Sequence, residues 1–455
     1  RGYAMITMMG EVKRHFRDRT WAIRVPRPPV GHPHRRIAMR NRILALAAVF
    51  ALAACGATEE PGQQQAAGPV KLTVWIMDGS VTQELLKKFE TEYEAAHQGV
   101  DLDIQIQAWD GIGERVTAAL ASTDAPDVIE VGNTQVAQYS ASGGVSDLSA
   151  KVADLKGEDW LPGLAQPGKI DGKQYGIPWY AANRVVVYNK DLFKAAGIAE
   201  PPKTRDEWLE VTEKLNKGGN QGIYLTGQTW YALAGFVWDE GGDLAVQEGG
   251  KWKGALDTPQ ALAGMDYYKR LQALGKGPKD ADEANPPQHE VFAQGKVGQI
   301  IAVPGIAARV LEVDDKLKDK MGFFPIPGKT ADKPGTVFTG GSDLIIPVAS
   351  QRQEQAYEVV KALAGEQFQT ELAKAMSFVP NRTSLAGVLA GDEGTAAMAV
   401  GAANGRATPN TPNWAAVEAT SVIKQYMTAV LTGGDPAAEG KKVSESITTT
   451  LNSGS

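Results

Sequence analysis

The sequence predicts an α/β protein of two lobes, and three observations carry that prediction. Beyond residue 69, short β-branched runs alternate with amphipathic helical stretches. The chain is 455 residues long, enough for two or three packed domains. No repeat period breaks the alternation. Residues 70–77 (VKLTVWIM) read as a strand that ends at Asp78-Gly79. Ser80 and Gln83 stand at capping-box spacing, and Leu85, Leu86, Phe89 and Tyr93 then form one apolar helical face. Residues 101–108 (DLDIQIQA) alternate strictly, as a half-buried strand does; 112–121 are helical, and 125–131 form a third strand. Strand–helix–strand–helix–strand demands a parallel sheet with helices on its faces, because parallel neighbours need a crossover connection. The rest follows the same style. A strand is expected at 184–188, helices at 191–196, 205–216, 258–274 and 288–294, and strands at 297–303 and 344–348. A helix at 351–364 and a helical tail at 414–431 and 436–451 complete the pass.

Composition narrows the function classes. The chain is 43% apolar and 22% charged, with one cysteine and five histidines, the mix of an ordinary globular protein. A single cysteine excludes an internal disulfide, a CxxC pair or a thiolate cluster, and so few histidines leave no metal centre or cofactor to expect. Residues 1–42 carry eleven Lys and Arg against Glu11 and Asp18, a net +9, which leaves −15 for the remainder of a chain whose total is −6. An acidic body does not suit a phosphate backbone, so no nucleic acid is expected.

The front end reads as an address. Residues 39–42 (MRNR) are basic, 43–54 are apolar, and small residues precede Cys55, so 39–54 fit a signal peptide. Twelve apolar residues are too few to span a bilayer core of about 30 Å. Leu52-Ala53-Ala54-Cys55 resembles the bacterial lipobox, which implies cleavage before Cys55 and its acylation; a buried free cysteine is the alternative. Residues 55–69 read as a flexible polar tether, and 1–38 as an upstream extension joined to a start at Met39.

Catalytic signatures are absent: no GxSxG, no HExxH, no P-loop, and Gly111-Ile112-Gly113 lacks the third glycine of a dinucleotide fingerprint. A glycosidase stays open, since it needs only two suitably spaced carboxylates. The positive signal is aromatic. Trp109-Asp110, Trp179-Tyr180, Trp230-Tyr231 and Trp238-Asp239 join a flat ring to a polar neighbour near expected strand ends, where ligands of open α/β sheets sit. Such rings suit the apolar C–H faces of a sugar. Each tryptophan also fits a packing role, and Trp208, inside a predicted helix, is assigned to packing.

Several stretches together resemble the extracellular solute-binding proteins of carbohydrate ABC importers, the maltose-binding-protein-like group. They are Leu72-Thr73-Val74-Trp75, Ala125-Pro126-Asp127-Val128, and residues 171–178 (DGKQYGIP). Residues 187–193 (VYNKDLF), Pro201-Pro202-Lys203-Thr204 with Trp208, and 292–298 (FAQGKVG) extend the likeness over nearly all of 70–450. The resemblance implies a periplasmic-binding-protein-like type II fold: mixed sheets flanked by helices, with a ligand cleft between two lobes. The first lobe would take 70–180 and 340–390, the second 181–339 and 391–455, with crossings near 179–183, 339–342 and 385–400. Matched segment by segment, the ligand positions are Asp78, Trp109, Asp110, Asn133, Thr134, Trp179, Tyr180 and Arg184. The second lobe and the return crossing add Trp230, Tyr231, Trp238, Gly341, Ser342, Asp343, Arg382 and Trp414. Trp179, Trp230 and Trp414 would stack on sugar rings, while Asp78, Asp110 and Asn133 would bond vicinal hydroxyls. Asp110 also fits a helix N-cap, and Arg184 a structural ion pair. Pro178-Trp179-Tyr180 resembles binders of β-linked or N-acetylated disaccharides such as chitobiose or cellobiose.

The implied function is capture of an oligosaccharide by closing lobes and its delivery to ABC permease transmembrane subunits, by a monomer tethered to the outer face of the membrane through lipid on Cys55. It involves no catalysis. Two alternatives stand beside it: a non-sugar solute on the same fold (polyamine, phosphate ester, ferric ion, peptide), or a secreted glycoside hydrolase.

Overall fold

Parallel pairing starts at the front of the body, as the strand–helix alternation requires. Strand β1 (Val70–Met77) pairs in parallel with β2 (Val100–Gln107) from Val70 opposite Val100 to Met77 opposite Gln107, and with β3 (Val128–Gly132) on its other side. The computed structural model describes residues 69–409 and 411–453. The expected extension, signal peptide and Cys55, and the tether up to residue 68, lie outside the described residues.

The sheet does not stay parallel. Beyond β3 it continues antiparallel through β8 (Val337–Ile345), β4 (Ile177–Asn183) and β9 (Val379–Pro380), giving the order β9-β4-β8-β3-β1-β2, and β10 (Gly405–Arg406) pairs with the far end of β8. A second, antiparallel sheet places β5 (Val185–Asn189) between β6 (Gln299–Ala302) and β7 (Met321–Phe324). Strand β4 runs straight into β5, so one chain segment passes from the first sheet to the second. The β4–β8 ladder pairs Ser342 with Tyr180 and Asp343 with Pro178, leaving Trp179 with no opposite residue. Proline offers no ladder N–H, and a register slip beside it accommodates that loss.

Two large apolar cores follow the two sheets. Leu72, Val74, Leu102, Trp179, Phe368 and Leu372 belong to one; Trp208, Leu233, Phe236, Tyr268, Trp414 and Met427 belong to the other. Trp208 is fully buried, the packing role its helix (Arg205–Leu215) predicts. The face Leu85, Leu86, Phe89 and Tyr93 is buried on helix Gln83–Ala96 as expected, but the cap is not Ser80. Thr82 accepts the bond from the Leu85 N–H, and the Ser80 hydroxyl turns inward to a carboxylate instead. The tail helix Pro436–Leu451 starts behind Asp435, whose side chain caps it, with proline in the first turn where its missing N–H costs nothing.

Candidate ligand-binding cleft

The first face of the cleft is built by strand ends. Because β1, β2 and β3 are parallel, the loops that follow them emerge at one edge of the sheet and bring Asp78, Trp109, Asp110, Asn133 and Thr134 together. The Trp109 indole N–H donates to the Asp78 carbonyl at 3.1 Å, which fixes the ring while leaving it 42% exposed. Asp110 does not cap the helix behind it. That helix, Ile112–Leu120, starts from Gly111 at φ 66° with no side-chain cap, and the Asp110 backbone carbonyl accepts from Arg115 at 2.8 Å. The Asp110 side chain is therefore free of the capping duty it competed with.

A buried carboxylate holds this edge from beneath. Glu130 accepts from the Met77 N–H at 2.8 Å, the Ser80 hydroxyl at 2.6 Å and the Tyr180 hydroxyl at 3.0 Å. The Ser342 hydroxyl donates to the Tyr180 oxygen at 3.2 Å. The Asp78 loop is thus clamped on both sides and tied to β4 and β8. Burial pushes the Glu130 carboxyl up to about 7, against the pull of these bonds.

The second face is aromatic and helical. Helix Trp230–Asp239 presents Tyr231, whose ring stacks on Phe338 with centroids 4.5 Å apart and carries the Arg184 guanidinium 4.7 Å above it. Arg184 is held by Glu283 at 2.7 Å, so the ion-pair alternative is realised beside any ligand role. Trp230 lies against Tyr231 and, at 6.3 Å, Trp414. On helix Trp414–Ala419 the Trp414 indole N–H donates to Glu418 at 3.0 Å.

Two polar contacts join the faces. The Thr134 hydroxyl reaches Glu418 at 3.4 Å, and Arg309 on helix Ile306–Val313 pairs with Asp78 at 3.0 Å. Burial pushes Glu418 up to about 7, partly offset by the bonds from Trp414 and Thr134. Burial also raises the Tyr231 hydroxyl well above its ordinary value, with the Glu418 charge adding to it. His289 is lowered, by burial first and then by Arg309.

Other predicted positions lie elsewhere. Trp179 is 0% exposed and its N–H donates to the Leu363 carbonyl, so it has no face for a sugar; mid-strand placement at the slip turns it into the core. Trp414 is equally sealed, and its role is to hold Glu418 rather than to stack. Tyr180 and Ser342 lie in the buried Glu130 network. Gly341 is spent on the β4–β8 ladder, where a Cβ would stand 2.5 Å from the Tyr180 carbonyl. Asp343 is fully buried with no hydrogen-bond partner among the described residues, and burial pushes it up to about 8. Arg382 donates to the Ala364 and Leu155 carbonyls inside the core. Trp238 binds Asp243 at 3.2 Å beneath Arg406, at the far end of its helix from Tyr231. Missed residues are Glu418, Glu283, Phe338, Arg309 and Glu130. The spacing of Glu418, four after Trp414, places both on one helical face and is the signal that finds it; Arg309 has no local signal.

A polar strand-end face opposes an aromatic helical face, with two contacts between them, and together they form the candidate ligand cleft. The chain belongs to the bacterial extracellular solute-binding proteins, whose family model matches residues 78–370. It is 40% identical over 419 residues, 89% of this chain and 97% of the other, to the diacetylchitobiose binding protein DasA of Streptomyces coelicolor. It is 26% identical to a maltooligosaccharide ABC transporter solute-binding lipoprotein of Streptococcus pneumoniae strain R6, over 80% of this chain and 86% of that one. The GacH receptor of Streptomyces glaucescens, solved unliganded and with acarbose, shares the fold at a TM-score of 0.75 and 22% identity, covering 85% of this chain and 99% of that one. The family is one of solute binders working with ABC transporters, not of enzymes, and the hydrolase alternative falls with that membership.

Proposed function

We propose that this chain captures an N-acetylated, β-linked disaccharide of the diacetylchitobiose kind between two closing lobes and hands it to an ABC permease. The observation that carries the reading is the 40% identity to a diacetylchitobiose binding protein along 97% of that protein's length. The cleft supports it: an exposed ring at Trp109, carboxylates at Asp78 and Asp110, and amide and hydroxyl groups at Asn133 and Thr134 face the Arg184–Tyr231 cluster. In this reading lobe 1 takes 70–180 and 340–390, lobe 2 the remainder of the body, and β4 and β8 are crossings between them. Sugar that touches both faces only when they meet favours closure by its differential affinity for the closed form. Cys55, at the end of a signal peptide over 39–54, would carry the lipid that keeps a monomeric binder beside its permease on the outer face of the membrane.

The test is isothermal titration and thermal shift on protein starting at Glu59, with chito-, cello-, malto- and xylo-oligosaccharides, spermidine and glycerol phosphates. At one hundred times the Kd, binding adds about 2.7 kcal/mol to native-state stability. Chito-oligosaccharides raising the midpoint most, and being recovered intact, is the expected result. A shift from charged solutes with silence from every sugar would overturn the reading. Metabolic labelling with palmitate, retained by the full chain and lost in Cys55→Ser, tests the anchor.

A further inference from the structure

Beside the rim of the second face lies a recess of about 10 Å3. Arg184, Tyr231 and Phe338, each half-buried, form its mouth, and the buried Ala232, Phe236 and Ile301 lie behind them. That volume is the size of one water or one methyl group. Water in such a place needs two to four polar partners; beside the Tyr231 ring the polar members of this lining are Arg184 at the mouth and Thr336, whose hydroxyl already accepts from the Asn404 amide at 2.8 Å, and the rest is apolar, so the space suits a methyl. The one charged group at the mouth is a guanidinium. Arg184 gives one N–H to Glu283 at 2.7 Å, and its other N–H groups take no hydrogen-bond partner among the described residues. The guanidinium lies over the ring of Tyr231, on which Phe338 stacks. The mouth lies beside the seam between the two faces: Tyr231 packs on Trp230, Trp230 on Trp414, and Trp414 holds the Glu418 carboxylate that Thr134 reaches from the opposite face.

An apolar slot for one methyl, with a cationic donor at its lip, has the chemistry of an acetamido group: CH3 inward, carbonyl oxygen toward the donor. We infer that this recess reads the N-acetyl substituent of the bound sugar, with Arg184 donating to the acetyl oxygen and the Ala232–Phe236–Ile301 wall receiving its methyl. The inference rests on the sugar-binding reading above and deepens it. It makes discrimination a property of lobe 2, separate from the hydroxyl-reading strand ends of lobe 1. A slot for a single methyl also limits the acyl chain: a propionyl group carries one carbon too many.

The experiment compares three disaccharides on the wild-type protein by titration calorimetry: N,N′-diacetylchitobiose, cellobiose and N,N′-dipropionylchitobiose. The diacetyl sugar is expected to bind at least about tenfold tighter than either of the others, the scale on which a methyl-sized pocket discriminates. In Ala232→Val, which fills the recess, the ratio of diacetyl to cellobiose affinity falls toward one. Equal affinities for diacetylchitobiose and cellobiose would overturn this inference while leaving sugar capture standing. A dipropionyl sugar binding as tightly as the diacetyl one would overturn the assignment to this recess, and needs no variant to fold. An undiminished ratio in a folded Ala232→Val protein would do the same. Silence from all three sugars overturns the sugar reading itself, and this one with it.

Discussion

Asp78, Trp109, Asn133 and Thr134 reach the cleft on loops that leave three parallel strands, whereas Tyr231 and Glu418 reach it on helices. The strand-end face is polar and carries its one large ring in the open. The helical face is aromatic, closes its rings on one another and keeps its carboxylate out of water. The contrast separates two tasks. Loops at a sheet edge offer many hydroxyl-bonding groups whose positions need a buried clamp, here Glu130. Helices offer rigid rings and few polar atoms. The tryptophans split the same way, since Trp109 is half-open while Trp179 and Trp414 are sealed.

Four changes break or sharpen this contrast, the largest first. Trp179→Ala removes a fully buried ring and is expected to lower stability by about 3–5 kcal/mol, read from denaturant unfolding. A stable variant that loses sugar binding instead would return Trp179 to the ligand site. Glu418→Gln comes next. A carboxyl raised to about 7 from an ordinary 4.5 keeps its proton in the fold where the unfolded chain has lost it. Stability therefore falls as pH rises from about 4.5 to 7 and levels off above, by up to a few kcal/mol. Glutamine keeps the shape without the titration, so the variant should be the more stable protein at pH 8, with a shallower pH slope of its melting midpoint. Glu130 and Asp343, raised to about 7 and about 8, titrate in the same sense and leave a residual slope. An unchanged slope would mean that the faces do not meet at Glu418.

Trp109→Ala should cost about tenfold or more in sugar affinity with little change in melting midpoint, the opposite signature to Trp179. Calorimetry and a thermal scan on the same preparation separate the two. Arg309→Ala is the smallest. Its partner Asp78 is half-exposed, and such pairs contribute about 0–1 kcal/mol, so the open fraction of ligand-free protein should rise only a fewfold. Small-angle scattering reads that change, and salt added to the wild type should imitate it.

Much of the fold was legible because its elements are amphipathic. Period-two and period-3.6 patterns expose one face at a time, and the helices Arg205–Leu215 and Pro436–Leu451 stand where those patterns put them. Helix Trp230–Asp239 was not legible, since WYALAGFVWD is apolar on every side and buried from Trp230 through Trp238 apart from Tyr231. Its rings read as loop-end residues for that reason. The first-face candidates stand together at one sheet edge because position after a parallel strand is itself a local signal. Trp179 and Asp343 misled because their burial depends on a register slip between strands more than 150 residues apart in sequence. Arg309 and Glu283 become cleft residues through folding alone, with nothing in their neighbourhoods to mark them.

The openness of Trp109 has an optical consequence. Of the tryptophans in the described residues it alone is exposed, and it stands at the seam that closure would cover. Its emission lies to the red of the buried indoles, and iodide quenches it more strongly than the half-buried Trp75 and Trp252. The protein therefore carries its own fluorescent gauge: in a Trp75→Phe, Trp252→Phe background, a fall in the iodide-quenchable fraction on adding a ligand reports closure over Trp109, with no dye attached.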